Sequence, residues 1–379
     1  MKLFYTFGSI LPILLTLVGC TSFDEGWVNP TDNRIQYVGR TTTTQEGNVK
    51  WNYTGTTISA RFKGTAIEIN CKPNSGYFMV SLDDNDVQKL AVLEHDSIIT
   101  IAKGLENKEH NISLMYCIEG HDNNPEFRGF RVSEGQLISP KPLPERKIEF
   151  IGNSITCAFG VEDENPNSPF DYATENHYYS FAAETARRLG AQHFATARSG
   201  IGIYRHYGSS AEGSEFCMPK QYENTLLYDN SEKWDFDKYQ PQVVCVNLGT
   251  NDTSPDLESP IIGDQNYDVN VKREIGCKPE KLYAAYKAFI DTLRNHYPEA
   301  KIVMTCGSML NGDALRLISE TLDSVVAEAN NEGDKEIFRF NFTPQDGSLG
   351  YAACWHPSRA QHMKMADELT PFLSELMDW

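Results

Sequence analysis

The hydrophobic pattern of this chain changes period once, and the change falls at its one proline cluster, Ser139-Pro140-Lys141-Pro142-Leu143-Pro144. Before the cluster, apolar residues alternate with polar ones over short runs. After it, apolar runs alternate with stripes of helical period. No single sheet or helix bundle accommodates both patterns, so the chain is read as two domains. The 379 residues agree with this, being too many for one ordinary domain. Three closely spaced prolines favour an extended, stiff connection, and the linker is placed at 139–146.

The first part reads as strand after strand. Ile58, Ala60 and Phe62 alternate with Ser59 and Arg61. Similar runs are Ala66 to Cys71, Phe78 to Leu82, Leu90 to Leu93, Ile98 to Ala102 and Ile112 to Tyr116. Turn residues punctuate them at Lys63-Gly64-Thr65, Pro73-Asn74-Ser75-Gly76 and Asp83-Asp84-Asn85. This pattern predicts a β-sandwich over 33–138, specifically a jelly roll. The second part predicts strands at Ile148 to Ile151, Val243 to Leu248, Ile302 to Thr305 and Ile337 to Phe340. Between and after them, helices are predicted at Tyr178 to Leu189, Leu282 to His296, Ala314 to Ala329 and Arg359 to Met377. Alternating strands and helices predict a three-layer α/β/α domain over 147–379, with a parallel sheet.

The charge limits the partner. Fifty-two acidic residues face 34 basic ones, a formal net charge of -18. A nucleic-acid partner requires Lys and Arg against phosphate, so it is excluded, and an anionic polymer is repelled on average. A neutral partner, or a small acid held by a local patch, fits.

At the N-terminus Lys2 precedes an apolar run, Ile10 to Val18, interrupted by Pro12 and Thr16 and too short to span a bilayer. It ends in Leu17-Val18-Gly19-Cys20, which resembles the bacterial lipobox. The resemblance implies a signal at 1–19, cleavage before Cys20, lipid on its sulfur and a tether at 20–32. It implies an exported protein anchored to the bacterial outer membrane, on its periplasmic or surface face. An ordinary signal peptide that contains a Cys is the alternative. None of the other eight Cys residues forms a CxxC pair, so a zinc ribbon or thioredoxin motif is unsupported. A Cys157–Cys354 disulfide is conceivable but not expected.

Parallel sheets place chemistry at the carboxyl ends of their strands. The first strand runs into Gly152-Asn153-Ser154-Ile155-Thr156, where a Ser just past a strand can present its hydroxyl and the backbone beside it can hold an oxyanion. The apolar strand Val243 to Leu248 runs into Gly249-Thr250-Asn251-Asp252, whose Asn amide can donate to a developing negative charge. Trp355-His356-Pro357-Ser358 precedes the last helix, with Ser358 as its cap and His356 placed as a general base. Each block alone is also ordinary turn or cap chemistry.

Together with Ala197-Arg198-Ser199-Gly200, these blocks occur in the order of the SGNH (GDSL) hydrolase superfamily, which the second part resembles. The resemblance implies Ser154 as nucleophile and His356 as base. It implies an oxyanion hole from the N–H groups of Ser154 and Gly200 and the side chain of Asn251. Gly202 is a second candidate for the glycine. The preceding sandwich, with Gly39-Arg40 and Phe62-x-Gly64-Thr65, makes the whole chain look like carbohydrate esterase family 2. That family implies removal of acetyl groups from plant polysaccharide of xylan or mannan type, without a metal or organic cofactor. Glycan-binding without catalysis, and SGNH lipase or thioesterase activity, are the alternatives. Against the lipase, 158 to 176 is rich in Glu, Asn, Pro and Asp and offers no apolar lid.

One residue departs from the pattern. Most SGNH enzymes carry an Asp three residues before the His, and here that position is Ala353, followed by Cys354. A backbone carbonyl, first that of Trp355 or a neighbour, is expected to orient His356. Asp346, swinging in from elsewhere in the chain, and a site without activity are the two alternatives. Trp355 is a candidate sugar platform or plain packing. Asp252 is expected to hold its loop by accepting backbone N–H groups. His177, Tyr178 and Tyr179 are expected to open a helix, with lining the cleft as the alternative, and Arg198, Arg205 and His206 to make exposed salt bridges, with contact to a uronic acid as the alternative. The oligomeric state is not legible.

Overall fold

Two long antiparallel strands, Thr57–Cys71 and Ile98–Tyr116, organise the first domain. They pair from Thr57 opposite Met115 to Asn70 opposite Ile98. The computed structural model describes residues 26–83, 85, 87–255 and 276–379, so the expected signal, the Cys20 lipid site and most of the tether lie outside the described residues. Each long strand joins two runs that look separate in the sequence. Lys63-Gly64-Thr65 is therefore not a turn: the strand continues through it, and the register shifts between Gly64 and Ala66. A bulge absorbs the local break in alternation without ending the strand.

Ten strands join this antiparallel sheet. Thr57–Cys71 pairs with Ile35–Val38 and Gln136–Ile138 over its first half and with Glu126–Ser133 over its second. Period-two alternation sends Ile58, Phe62, Ile67 and Ile69 inward, where they meet Leu114, Tyr116, Phe127 and Phe130. Each such buried side chain stabilises by about 1.5–3 kcal/mol relative to exposure.

In the second domain five strands are all parallel: β1 (Lys147–Gly152), β2 (Gln192–Ala197), β3 (Val243–Asn247), β4 (Lys301–Cys306) and β5 (Ile337–Asn341). Their order is β2-β1-β3-β4-β5. Helices Phe181–Arg188 and Arg359–Met377 cover one face, with Ile148, Phe150, Cys245 and Val303 beneath them. Helices Pro279–His296 and Gly312–Glu332 cover the other, over Val244, Val246, Ile302 and Met304. β2 is not evident in the sequence because His, Ala and Thr supply most of it, and the hairpin of Asn224–Leu226 and Asp229–Lys233 is likewise unannounced.

The linker touches both domains. Gln36 Nε2 donates to Lys141 O (3.1 Å) and Arg61 Nη1 to Ser139 O (3.1 Å), while Gln192 Nε2 donates to Pro144 O. A deeper clasp lies beneath it. Arg40, from the first domain, reaches Glu149 on β1 at 3.2 Å, with both side chains almost fully buried. Glu149 also accepts from Thr196 Oγ1 (2.6 Å), Tyr222 Oη (2.8 Å) and Tyr297 Oη (2.8 Å). Val38 and Tyr53 of the first domain join the apolar core of the second beside this pair. The sheet ends are thereby fixed against the sandwich.

Candidate active site

Strand register brings the nucleophile and oxyanion blocks together. Gly152 at the end of β1 lies opposite Ala197 at the end of β2 and Asn247 at the end of β3. The three loops that follow carry Ser154, Gly200 and Asn251, so they leave neighbouring strands at one level. Ser154 opens a single helical turn, Ser154–Cys157, capped by the Asn153 side chain accepting from Ile155 N–H (3.1 Å). The short turn ends at once because Ala158 adopts φ 60°.

His356 arrives from the far end of the chain. Its Nε2 lies 2.8 Å from Ser154 Oγ. Its Nδ1 lies 3.1 Å from Ala353 O and 3.2 Å from Cys354 O. Two carbonyl acceptors require the proton on Nδ1, which leaves Nε2 as the acceptor for the serine hydroxyl. Of the carbonyls expected from the sequence, Trp355 or a neighbour, the neighbours serve, and that of Trp355 is turned away and accepts from Gln345 Nε2 (2.9 Å). Asp346 is spent locally, accepting from Ser348 N–H (2.9 Å) and Ser348 Oγ (2.5 Å). Orientation by a neighbouring carbonyl is what the geometry contains.

The backbone is bent to make this possible. Cys354 and Trp355 are consecutive left-handed residues, with φ 50° and 60°. Such non-glycine conformations cost on the order of 1–3 kcal/mol each and persist only where the surroundings hold them. Here Ala352 N–H donates to His356 O (2.8 Å) and Cys354 N–H to Ser168 O (3.2 Å). The bend aims two carbonyls at one ring nitrogen and throws the Trp355 side chain outward, 42% exposed. Trp355 is thus half exposed and not buried under the last helix; its ring meets the edge of Tyr351, centroids 5.1 Å apart. The loop of 158–176 closes over the His loop: Gly160, at φ 60°, approaches so near that a Cβ would lie 2.5 Å from that of Ala353.

The opposite face of the His356 ring stacks on Phe159 (4.2 Å between centroids, 22° between planes), which stacks on Phe170. Neither aromatic stands out in the sequence. This burial pushes the imidazole down to about 4, with the Ala353 and Cys354 carbonyls acting in the opposite direction. Only neutral His356 can take the serine proton. The rate of ester cleavage (kcat/KM) should therefore stay level as the pH falls from 7 past the ordinary histidine value of about 6.5. It should decline only towards about 4. An acid limb centred at 6.5 or above, in a pH–rate profile on folded protein, would contradict the packed-in base.

On the oxyanion side, Asn251 Nδ2 gives one hydrogen to Ile201 O (2.9 Å), which holds the amide and leaves its second hydrogen to donate elsewhere. Gly200 takes φ 78°, and a Cβ there would meet nothing closer than 3.6 Å, so the backbone conformation, not crowding, is what calls for glycine. Gly202, the second candidate, is enclosed: a Cβ there would fall 2.0 Å from Arg205 O. Asp252 does accept backbone N–H groups, but those of the segment after Gly200 and not of its own loop: Ile203 (2.9 Å), Tyr204 (2.9 Å) and Arg205 (3.1 Å).

Two expectations from the sequence need correction. Arg205 makes no exposed salt bridge; it is buried and donates to the carbonyls of Asp252 (3.0 Å) and Ser254 (2.7 Å). Arg198 points inward to His121 Nε2 (3.2 Å). His177 opens the helical turn His177–Tyr179 as expected, and it is buried beneath the nucleophile turn, with Nδ1 2.8 Å from Thr156 O. Cys157 and Cys354 are free, as expected. Among the described residues, one group has metal-ligand chemistry, Glu119, Cys157 and Glu175, with ligand atoms within 4.8 Å of one another. One Glu119 oxygen already accepts the N–H of Ser199.

A serine on a strand-end turn, paired with a histidine before the last helix and facing convergent donors, defines a serine hydrolase of the SGNH type. A family model described as GDSL-like Lipase/Acylhydrolase matches 148–369, and one described as Carbohydrate esterase 2 N-terminal matches 37–142. The solved structure of a family two carbohydrate esterase from Clostridium thermocellum, in complex with cellohexaose, superposes with a TM-score of 0.81 at 34% identity. It is matched over 91% of this chain and 99% of that one. The chain belongs to carbohydrate esterase family 2. Among curated relatives, the cellulase/esterase CelE of Acetivibrio thermocellus is 36% identical over 91% of this chain, which spans only 40% of CelE. An acetylxylan esterase/glucomannan deacetylase of Cellvibrio japonicus is 26% identical over 92% of this chain and 90% of its own length.

Proposed function

We propose that this protein is a carbohydrate O-acetyl esterase, acting on acetylated polysaccharide or oligosaccharide of xylan or mannan type. The observation that carries the reading is the 2.8 Å approach of His356 Nε2 to Ser154 Oγ, with Nδ1 anchored on backbone carbonyls. His356 takes the Ser154 proton as Oγ attacks the acetyl carbonyl. The N–H groups of Ser154 and Gly200 and the amide of Asn251 receive the oxyanion. His356 then returns the proton to the leaving sugar oxygen, and water releases acetate by the same steps. Each step needs only a neutral base and dipolar donors, so the chain's own residues suffice.

Trp355 supplies the sugar contact in this reading. An exposed indole beside the base offers an apolar face to a neutral pyranose ring, and its neighbourhood to Tyr351 fixes it edge-on. Trp355→Ala should raise KM for acetylated xylo- or manno-oligosaccharide about 10-fold, equivalent to about 1.4 kcal/mol. Turnover of a small aryl acetate should stay within about twofold. An unchanged oligosaccharide KM would remove Trp355 from the subsite. The test of the reading as a whole is acetate release from acetylated xylan and glucomannan by the wild type and by Ser154→Ala.

A further inference from the structure

We propose that Glu119, supplied by the first domain, is a positioning residue that sets the oxyanion loop of the second domain. Glu119 lies just beyond the long strand Ile98–Tyr116 and is buried. Its Oε1 accepts the N–H of Ser199, the residue before Gly200. The same oxygen receives the Cys157 thiol at 3.6 Å, at the end of the turn that opens with Ser154. One carboxylate oxygen therefore ties the nucleophile turn to the oxyanion loop, from a domain that carries neither.

Two residues on, the same segment acts again. His121 Nε2 accepts from Arg198 Nη2 (3.2 Å), and Arg198 Nη1 donates to Ser199 O. Burial and the Arg198 charge both hold the His121 imidazole below its ordinary value, which keeps Nε2 an acceptor. The Ser199 N–H and C=O are thus both clamped. In a planar trans peptide, the N–H of residue 200 points opposite to the C=O of residue 199. Clamping Ser199 O towards Arg198 aims the Gly200 N–H the other way, and the left-handed φ of Gly200 keeps the following chain clear of it.

Glu175 completes the pocket. It is fully buried, and burial first, then the nearby Glu119, pushes its carboxyl well above the usual range. It accepts weakly from the backbone N–H of Glu119 (3.5 Å). The position of Glu119 is set by the sandwich backbone, where the neighbouring Gly120 N–H donates to Asn52 O (2.9 Å), and an oxyanion donor requires placement to within about 0.5 Å. This assigns the sandwich a part in turnover, and it rests on the hydrolase reading above.

The test uses the full chain and two readouts: aryl acetate turnover, and the rate at which a fluorophosphonate labels Ser154, which needs the same hole but no sugar. Glu119→Ala should lower kcat and labelling about 30-fold with KM within about twofold. Glu119→Gln keeps an acceptor for Ser199 N–H and should recover most of the loss. Should Glu119→Ala fail to fold, Arg198→Gln, at the outer side of the clamp, should give the same kcat-selective loss. Labelling of Glu119→Ala or Arg198→Gln at the wild-type rate overturns the inference. So does a Glu119→Gln variant as slow as Glu119→Ala. Failure of the wild type itself to label would instead overturn the hydrolase reading.

Discussion

Ser154→Ala should release acetate at no more than about one ten-thousandth of the wild-type rate while binding the glycan as tightly as before. The hydroxyl is the atom that becomes covalently acylated, and in Ser154→Ala no other group lies at hydrogen-bond distance from His356 Nε2 among the described residues. The N–H of residue 154 survives the substitution, as do Gly200 and Asn251. The hole therefore remains intact, and a residual rate above that of water is expected from it. Among the described residues no carboxylate meets His356 Nδ1, so the developing imidazolium leans on two carbonyl dipoles instead of a full charge. That lowers the ceiling of the wild-type rate and does not change the direction of the Ser154→Ala effect. Acetate release by Ser154→Ala equal to that of the wild type would sink the esterase reading. A wild type as inactive as Ser154→Ala, yet still glycan-binding, would mark a binding protein with a preserved dyad. Isothermal titration with a non-acetylated oligosaccharide provides the binding arm.

How much of this was legible in the sequence depended on how local each signal is. Ser154, Asn251 and His356 follow strands or precede a helix, and strand ends can be read from apolar runs, so their convergence follows from the sheet order. Asp252 was legible in part: Asx chemistry announces an acceptor of backbone N–H groups, but its partners, Ile203, Tyr204 and Arg205, lie about fifty positions earlier. The orientation of His356 was only half legible. The missing Asp at position 353 points to a carbonyl, but which carbonyl depends on two left-handed residues, Cys354 and Trp355, that no Gly or Asn signals. Lys63-Gly64-Thr65 has turn composition, yet pairing on both sides carries the strand through it. Arg205 looks like a surface charge in sequence, whereas its guanidinium fits a nest of carbonyls made by residues about fifty positions later. Glu119 and Glu149 were illegible for the same reason: their partners lie in another domain. A Glu within an apolar strand is nonetheless a usable signal, because a buried carboxylate requires a cation or several donors.

Arg40→Met should destabilise the folded chain by about 3–5 kcal/mol, the usual cost of stranding one member of a buried ion pair. Arg40 and Glu149 are the two ends of that pair, at 3.2 Å and almost without exposure. Removing the guanidinium also leaves the Tyr222 and Asn224 carbonyls without their donor and empties the aromatic cage of Tyr53, Tyr222, Trp234 and Phe236 around it. Glu149 keeps its three hydroxyl donors, which sets the effect nearer the lower end of the range. Adding Glu149→Gln should recover part of the loss, since the double variant buries no charge and the three hydroxyls retain an acceptor. Denaturant unfolding followed by tryptophan fluorescence reads both variants, Trp234 lying in the cage itself. The clasp joins the sandwich to β1 of the catalytic sheet, the strand that runs into Ser154, so Arg40→Met should also lower acetate release before it unfolds the chain, by loosening the contact through which Glu119 reaches Ser199. Stability within about 0.5 kcal/mol of the wild type would show that the hydroxyl donors alone hold Glu149. A destabilised Arg40→Met with unchanged kcat would show that the domains stay in register without the clasp.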